Sequence, residues 1–355
     1  MLTSSNDSPD SAINSPSLKK NIFNILKYVA MLAIGVALLF LAFRGVNLRA
    51  TFEEIREVNI FWLSVSTLAS IVAFVSRAWR WNMLIEPAGY KLDFKPTLYS
   101  VMIGYLANLA LPRFGEVTRC GSLSKATKVP FEILFGTVIV ERVIDVISLL
   151  FCIVLVGFLE YKRLGSFLRD SLYEPLQAKA SLIISSPLFY IGIAVILLLV
   201  VFLIRAHRKS GKQSGIIKKV SDLAVGVLQG LKTVRKLKNP GAFLFHSVLI
   251  WFMYFLMAYT CFFALPATSA LGWKAGLFVL VVGGMGMSAP VQGGIGTYHL
   301  MVSQGLILFG LAREHGLAYA TLMHTTQTLF IIVTGSLSML LLFLADRKKS
   351  HVLNT

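Results

Sequence analysis

The chain has 355 residues, of which 56% are hydrophobic and only 14% charged, with a formal net charge of +17 and a mean hydropathy of +0.72. No water-soluble chain of this length needs so much apolar surface, so the composition excludes a soluble enzyme or binding module. The positive charge falls between apolar runs, as the positive-inside bias of membrane proteins dictates, and that sets aside nucleic acid as a partner.

Residues 1–20 are rich in Ser, Asn, Asp and Pro and predict a disordered cytoplasmic tail. Asn24–Phe43 is too long for the apolar core of a signal peptide and lacks a small-residue cleavage site, so it predicts a retained transmembrane helix. Ile60 to about Arg80 predicts the second span. It closes on SRAWRW, where Trp79 and Trp81 read as interfacial anchors beside Arg77 and Arg80. Thr97–Leu111 is apolar, but as a helix it reaches only about 22 Å, short of the ~30 Å of hydrocarbon. It runs into NLALPRFGEVTR, from Asn108 to Arg119. Phe131–Phe158 is a full span with Glu141, Arg142 and Asp145 inside it, and Leu182–Ile204 is a clean apolar span.

Arg205–Gly241 holds ten Lys and Arg against one acid, Asp222. Its apolar residues recur at helical spacing, which predicts a basic amphipathic helix suited to the anionic lipids of the inner leaflet. Phe243–Leu265 spans again. Ala275–Ala289 and Ile295–Leu311 are short apolar arms around MSAPVQGGIGTYH, from Met287 to His299. Ala318–Leu344 is the last span, and residues 347–355, opening with Arg347, Lys348 and Lys349, predict a cytoplasmic tail.

Placing both termini and Arg205–Gly241 in the cytoplasm fixes the parity of crossings. The expectation is an all-α integral membrane protein of the inner cell membrane, with six full spans and two re-entrant segments. Asn108–Arg119 enters from inside and Met287–His299 from outside. Within the transmembrane domain, 21–346, the stretches 24–158 and 182–344 repeat one order of elements, and an odd number of spans per half turns the second copy upside down.

Charges inside the bilayer mark the chemistry, because each costs roughly 2.5–3.5 kcal/mol at the centre of a span. Glu141 and Asp145 share a helix face, and Arg142 can pair with Asp145. If Pro112 starts a helix, then Arg113, Glu116 and Arg119 share a face beside its N-terminus, a setting that suits a phosphate. Pro290, Gly293, Gly294 and Gly296 permit a bend and close approach of a ligand, and such backbone is tolerated in lipid only where it is buried or lines a cavity. Asn108, Gln292, His299, His324 and Gln327 read as further polar lining, with hydrogen bonding between helices as the alternative for the stripe of Thr321, His324, Gln327 and Thr328. The three cysteines, Cys120, Cys152 and Cys261, have no metal-ligand spacing. No phosphate-binding loop of an ATPase, His-Glu-x-x-His or Asp-x-Asp is present, so no metal, cofactor or catalytic residue is assigned.

Four motifs in order carry a family resemblance: Arg77-x-x-Arg80-Trp81, Asn108-x-x-x-Pro112-Arg113-x-Gly115-Glu116-x-x-Arg119, Glu141-Arg142-x-x-Asp145 and Pro290-x-x-Gly293-Gly294-x-Gly296. Together they resemble the lysylphosphatidylglycerol synthase transmembrane-region family, also called flippase-like. The resemblance implies a polytopic protein that handles membrane phospholipid or a polyprenyl-phosphate-linked substrate. It does not imply lysyl transfer, since the soluble aminoacyl-transferase domain of the family's best-known member has no counterpart here. The expected function is therefore lipid translocation, with Arg113, Arg119 and Arg142 on the phosphate and Glu116, Glu141 and Asp145 balancing them. Two alternatives stand beside it: a membrane-embedded transferase using Glu116 or Asp145 as base, and a non-transporting scaffold.

Overall fold

The computed structural model describes residues 55–163 and 237–353, with side chains to 345, and isolated positions between 33 and 53. Apart from those positions, the predicted spans Asn24–Phe43 and Leu182–Ile204 lie outside the described residues, as does the predicted basic helix up to residue 236. Eight helices carry the described fold: α1 (Ile60–Ile85), α2 (Phe94–Ala110), α3 (Gly115–Thr127), α4 (Phe131–Leu159), α5 (Pro240–Phe262), α6 (Trp273–Ser288), α7 (Thr297–Ile307) and α8 (Arg313–Leu353). Four of them, α1, α4, α5 and α8, are long and apolar enough to cross a membrane. The protein is an all-α, multi-pass membrane protein.

Local chemistry sets the helix starts. The Asn59 side chain accepts from the Phe61 amide at the head of α1 (3.0 Å), satisfying one of the donors a helix start leaves open. Asn239 does the same for α5 through the Ala242 amide (3.2 Å), with Pro240 at the first helical position.

The short helices form two hairpins. In the first, Asn108 faces Gly115, and Gly104 faces Arg119 one turn further down. These contacts make α2 and α3 antiparallel. The approach is so close that a Cβ on Gly115 would run into the Gly104 carbonyl and the Asn108 amide. In the second hairpin Gly286 lies against Tyr298, and Gly305 against Phe278, so α6 and α7 are antiparallel too.

The hairpins open towards opposite ends of the bundle. Ile85 of α1, Val101 of α2, Leu123 of α3 and Leu134 of α4 share one apolar cluster, with Tyr90 and Phe131 packed against it. That end also brings Lys238 to Glu86 (3.3 Å), so α5 starts there. At the other end the Asn59 amide donates to the Ala264 carbonyl (2.8 Å), and Phe262, Ala275, Leu306 and Ala318 pack together. Lys274 there reaches Glu160, just beyond α4 (3.5 Å). So α1 and α4 enclose a hairpin entering from one end, while α5 and α8 enclose one entering from the other. The packing follows the same exchange: α1 meets α5, α2 meets α8, and α6 meets α4. Among the described residues, α1–α4 and α5–α8 each run long helix, short hairpin, long helix, in opposite senses.

Several boundaries differ from expectation. The helix that follows Pro112 begins at Gly115, because Arg113 adopts a left-handed conformation (φ 60°) that turns the chain back. Pro112 therefore does not start a helix. The second span runs five residues past Arg80, to Ile85. The final helix begins at Arg313 and continues through the predicted tail to Leu353.

Candidate functional site

At about 1.5 Å per residue, α2 and α6 carry their hairpin tips roughly 25 Å from their starts, past the middle of a ~30 Å apolar layer. The tips meet there. Arg113 Nη2 donates to the Ser288 carbonyl (2.9 Å), the last residue of α6. Gly293, in the second tip, lies beside Leu109 of α2. The Pro112 and Pro290 bends thus converge. Asn108 serves the turn itself: its side-chain oxygen accepts from the Gly115 amide (2.7 Å).

Beside the tips lies a buried ionic cluster. Glu141 sits ten residues into α4, about 15 Å from its start, and is fully buried. Its carboxylate pairs with Arg77 (2.5 Å), Arg80 (3.3 Å) and Arg119 (3.1 Å). Asp145, one turn on, accepts from Arg77 (3.0 Å) and Arg80 (2.7 Å). The Arg77 guanidinium also donates to the Tyr254 hydroxyl (3.2 Å), which lies 3.4 Å from the Tyr105 hydroxyl. The Arg119 guanidinium lies over the Trp81 ring, 4.7 Å from its centroid, and the Trp81 indole donates to Thr137 (2.9 Å). Trp81 is fully buried, so it is no interfacial anchor. Together with Arg77 and Arg80 it belongs to the site.

Towards the outside of the bundle the cluster ends in a half-exposed pair. Arg142 Nε lies 3.3 Å from Glu116, and its Nη1 is 3.7 Å from Asp145. Both residues line an apolar groove of about 310 Å³ walled by Phe135, Val138, Ile139, Val143 and Val146. Arg113 is exposed at the tips and takes no part in the cluster. It does not share a helix face with Glu116 and Arg119, because the turn at its own position precedes α3.

Charge counting gives this arrangement its chemistry. Arg77, Arg80, Arg119 and Arg142 meet Glu116, Glu141 and Asp145: four cations against three anions, leaving one positive charge. Moreover, Arg77 Nε, Arg80 Nε and Nη1, and Arg119 Nε and Nη2 are buried without a hydrogen-bond partner, as are the acceptors Glu116 Oε2 and Glu141 Oε2. Buried polar groups left this way are costly, and a net positive cluster of guanidinium groups has the chemistry to bind an oxyanion.

The remaining polar residues form a second, neutral group in the other half. His324 Nε2 lies 2.8 Å from the Gly293 carbonyl, and the His299 ring is 4.8 Å from that of His324. Gln327 accepts from Ser70 of α1 (2.9 Å). Gln292 is buried in the turn itself, with Gly294. Gly293, Gly294 and Gly296 all have positive φ, a conformation that favours glycine. Phe74 lies on α1 between Ser70 and Arg77, packed against Tyr105 (4.7 Å) and Phe330 (6.0 Å). The polar residues therefore form two groups, separated by about 10 Å along α1 with an aromatic layer between them.

The chain is similar to known proteins. A family model described as "Lysylphosphatidylglycerol synthase TM region" matches residues 28–335. A UPF0104 membrane protein of Methanocaldococcus jannaschii is 28% identical over 144 residues, 39% of this chain and 40% of that protein. A UPF0104 membrane protein of Pyrococcus horikoshii is 25% identical over 126 residues, 34% of this chain and 38% of that one. Each match covers about two fifths of the relative's own length. No solved structure matches the chain.

Proposed function

The chain belongs to the lysylphosphatidylglycerol synthase TM region family, and we propose that it moves a lipid with an anionic phosphate head group between the leaflets of the cell membrane. One observation carries this reading: a surplus guanidinium charge, with buried donors lacking acceptors, where two re-entrant tips meet inside the apolar layer. Arg142 and Arg113, the accessible cations, receive the phosphate, and Arg80 and Arg119 supply the charge that holds it. Acyl chains remain in the groove along α4. Glu116 and Arg142 release one another as the head group enters. That exchange limits the cost of desolvation, because the phosphate replaces a carboxylate on an arginine already out of water.

Orientation follows from charge. Lys91, Lys95, Lys125, Lys128 and Lys238 lie at the end where the first hairpin opens, and Arg347, Lys348 and Lys349 at the end of α8 lie on the same side. Under the positive-inside bias that end is cytoplasmic, and the C-terminus with it. A transferase reading gains less support: Asp145, one candidate base, is already held by Arg77, Arg80 and Arg142.

The test is reconstitution into liposomes with head-group-labelled phosphatidylglycerol and an impermeant quencher. Translocation is expected with the native chain and a loss of at least tenfold with Arg119→Gln. Head-group chemistry without movement between leaflets would replace this reading with the transferase.

A further inference from the structure

Resting on the transporter reading above, we propose that Tyr105 makes passage of the lipid conditional on its phosphate: the hydroxyl receives the head group, and the ring, which closes the aromatic layer, is drawn aside with it. Tyr105 lies on α2, three residues ahead of Asn108 and the first tip. It belongs to both neighbouring structures. Its ring meets Phe74 edge-on at 4.7 Å, and Phe74 stacks on Phe330 at 6.0 Å. Its hydroxyl lies 3.4 Å from that of Tyr254, which Arg77 holds. One side chain therefore links the arginine cluster to the layer that separates the two polar groups.

Counting hydrogens shows which bond gives way. A guanidinium only donates, so the Tyr254 oxygen accepts from Arg77 Nη2 (3.2 Å). Two phenols bring two hydrogens, and the contact between them uses one, whichever is the donor. At 3.4 Å that contact is long, since hydroxyl pairs settle near about 2.7–2.8 Å. A phosphate oxyanion is a stronger acceptor than a second phenol. Tyr105 lies within Coulombic range of Arg77 and of Arg142, the half-exposed cation at the groove. A phosphate arriving at these cations competes with Tyr254 for the Tyr105 hydroxyl, and as the charged acceptor it prevails.

The ring has to follow. The phenol oxygen lies on the axis of the Cβ–Cγ bond, so turning about that bond leaves it in place. Drawing the oxygen towards a phosphate therefore tilts the whole ring. An edge contact between two rings is weaker than a hydrogen bond to an ionised acceptor, so the ring gives up Phe74 once the phosphate is bound. Phe74 is buried and is the fifteenth of the twenty-six residues of α1. Arg77 lies on one side of it, and on the other Ser70 bonds to Gln327 of α8 (2.9 Å). Withdrawing Tyr105 opens the layer between those two polar groups. The arginine cluster selects the anion, and Tyr105 opens the way for it; a lipid that does not bind the arginines leaves the layer shut.

The experiment follows labelled phosphatidylglycerol and labelled phosphatidylcholine across liposomes that hold the full chain. The native chain is expected to move phosphatidylglycerol in preference. Tyr105→Phe keeps the ring and removes the hydroxyl, so movement of phosphatidylglycerol is expected to fall about tenfold or more, while native mass spectrometry still finds that lipid bound. Tyr105→Ala and Phe74→Ala remove rings from the layer, and the preference over phosphatidylcholine is expected to disappear. Tyr105→Phe moving phosphatidylglycerol within about twofold of native, binding lost along with movement, or an alanine variant that keeps the native preference overturns the proposal and leaves the transporter reading standing. A native chain that moves neither lipid overturns both. Fluorotyrosine placed at position 105 of the otherwise native chain gives a test independent of the variants' folding. Its fluorine resonance is expected to shift on addition of phosphatidylglycerol and not of phosphatidylcholine; no shift, or the same shift with both, overturns the proposal.

Discussion

Glu141→Gln removes one charge from the centre of the cluster while keeping the shape of the side chain. In the native chain Glu141 faces Arg77, Arg80 and Arg119 with no exposure to solvent. The variant leaves Arg77 and Arg80 to Asp145 and takes from Arg119 the carboxylate it pairs with, so the surplus over the whole cluster rises from one to two. Removing one partner of a buried ion pair costs about 3–5 kcal/mol, because the remaining charge is stranded. At roughly 2–4 °C per kcal/mol, even the low end lowers the midpoint by about 6–12 °C. The assay is the fraction of detergent-purified protein that stays monodisperse after heating. Glu141→Gln combined with Arg119→Gln restores a surplus of one, so it is expected to lose at least about 1 kcal/mol less than the sum of the single variants. A single variant within 2 °C of native, or strictly additive losses, would refute the account of the cluster as one coupled unit.

Three further predictions concern the hairpins. Gly115→Ala collides with the Gly104 carbonyl and Asn108, so it is expected to cost about 1–3 kcal/mol, whereas Gly121→Ala on the same helix meets open space and is expected to be neutral or slightly stabilising; thermal stability of both decides. Arg113→Ala removes the bond between the tips at an exposed position, so stability is expected to change by no more than about 1.5 kcal/mol while lipid translocation falls at least tenfold. Single cysteines at Lys95 and Lys274, in a background lacking the three buried native cysteines, are expected to react with an impermeant maleimide from opposite sides of the membrane. Labelling from one side only would contradict the opposed hairpins.

Much of the fold was readable from the residues. Short apolar runs ending in Pro112 and Pro290 indicate helices that stop at those bends, and α2 and α6 end beside them. Glu141, Arg142 and Asp145 are legible because charge inside a long apolar run is expensive. Arg77 and Arg80 were misplaced because tryptophan beside arginine at the end of a run resembles an interfacial belt. The corrective signal was the apolar continuation Trp81, Met83, Leu84 and Ile85, which puts both arginines inside the helix. The role of Arg113 was not legible. A proline ahead of charged residues fits a helix start, and nothing in the residue types announces a left-handed arginine. Nor could spacing show that His299 and His324 sit apart from the arginines, since the layer of Phe74, Tyr105 and Phe330 forms only when distant helices pack.

A lipid bound to the purified protein tests the centre of this account most directly. Native mass spectrometry of the chain, extracted in mild detergent and offered equal amounts of phosphatidylglycerol and phosphatidylcholine, reads head-group charge against a common pair of tails. One phosphatidylglycerol per chain is expected, retained in preference to phosphatidylcholine and lost when Arg80→Gln and Arg119→Gln are combined. Equal retention of the two lipids, or a preference that survives the loss of both arginines, would contradict the claim that the surplus charge beside the tips is there to hold an anion.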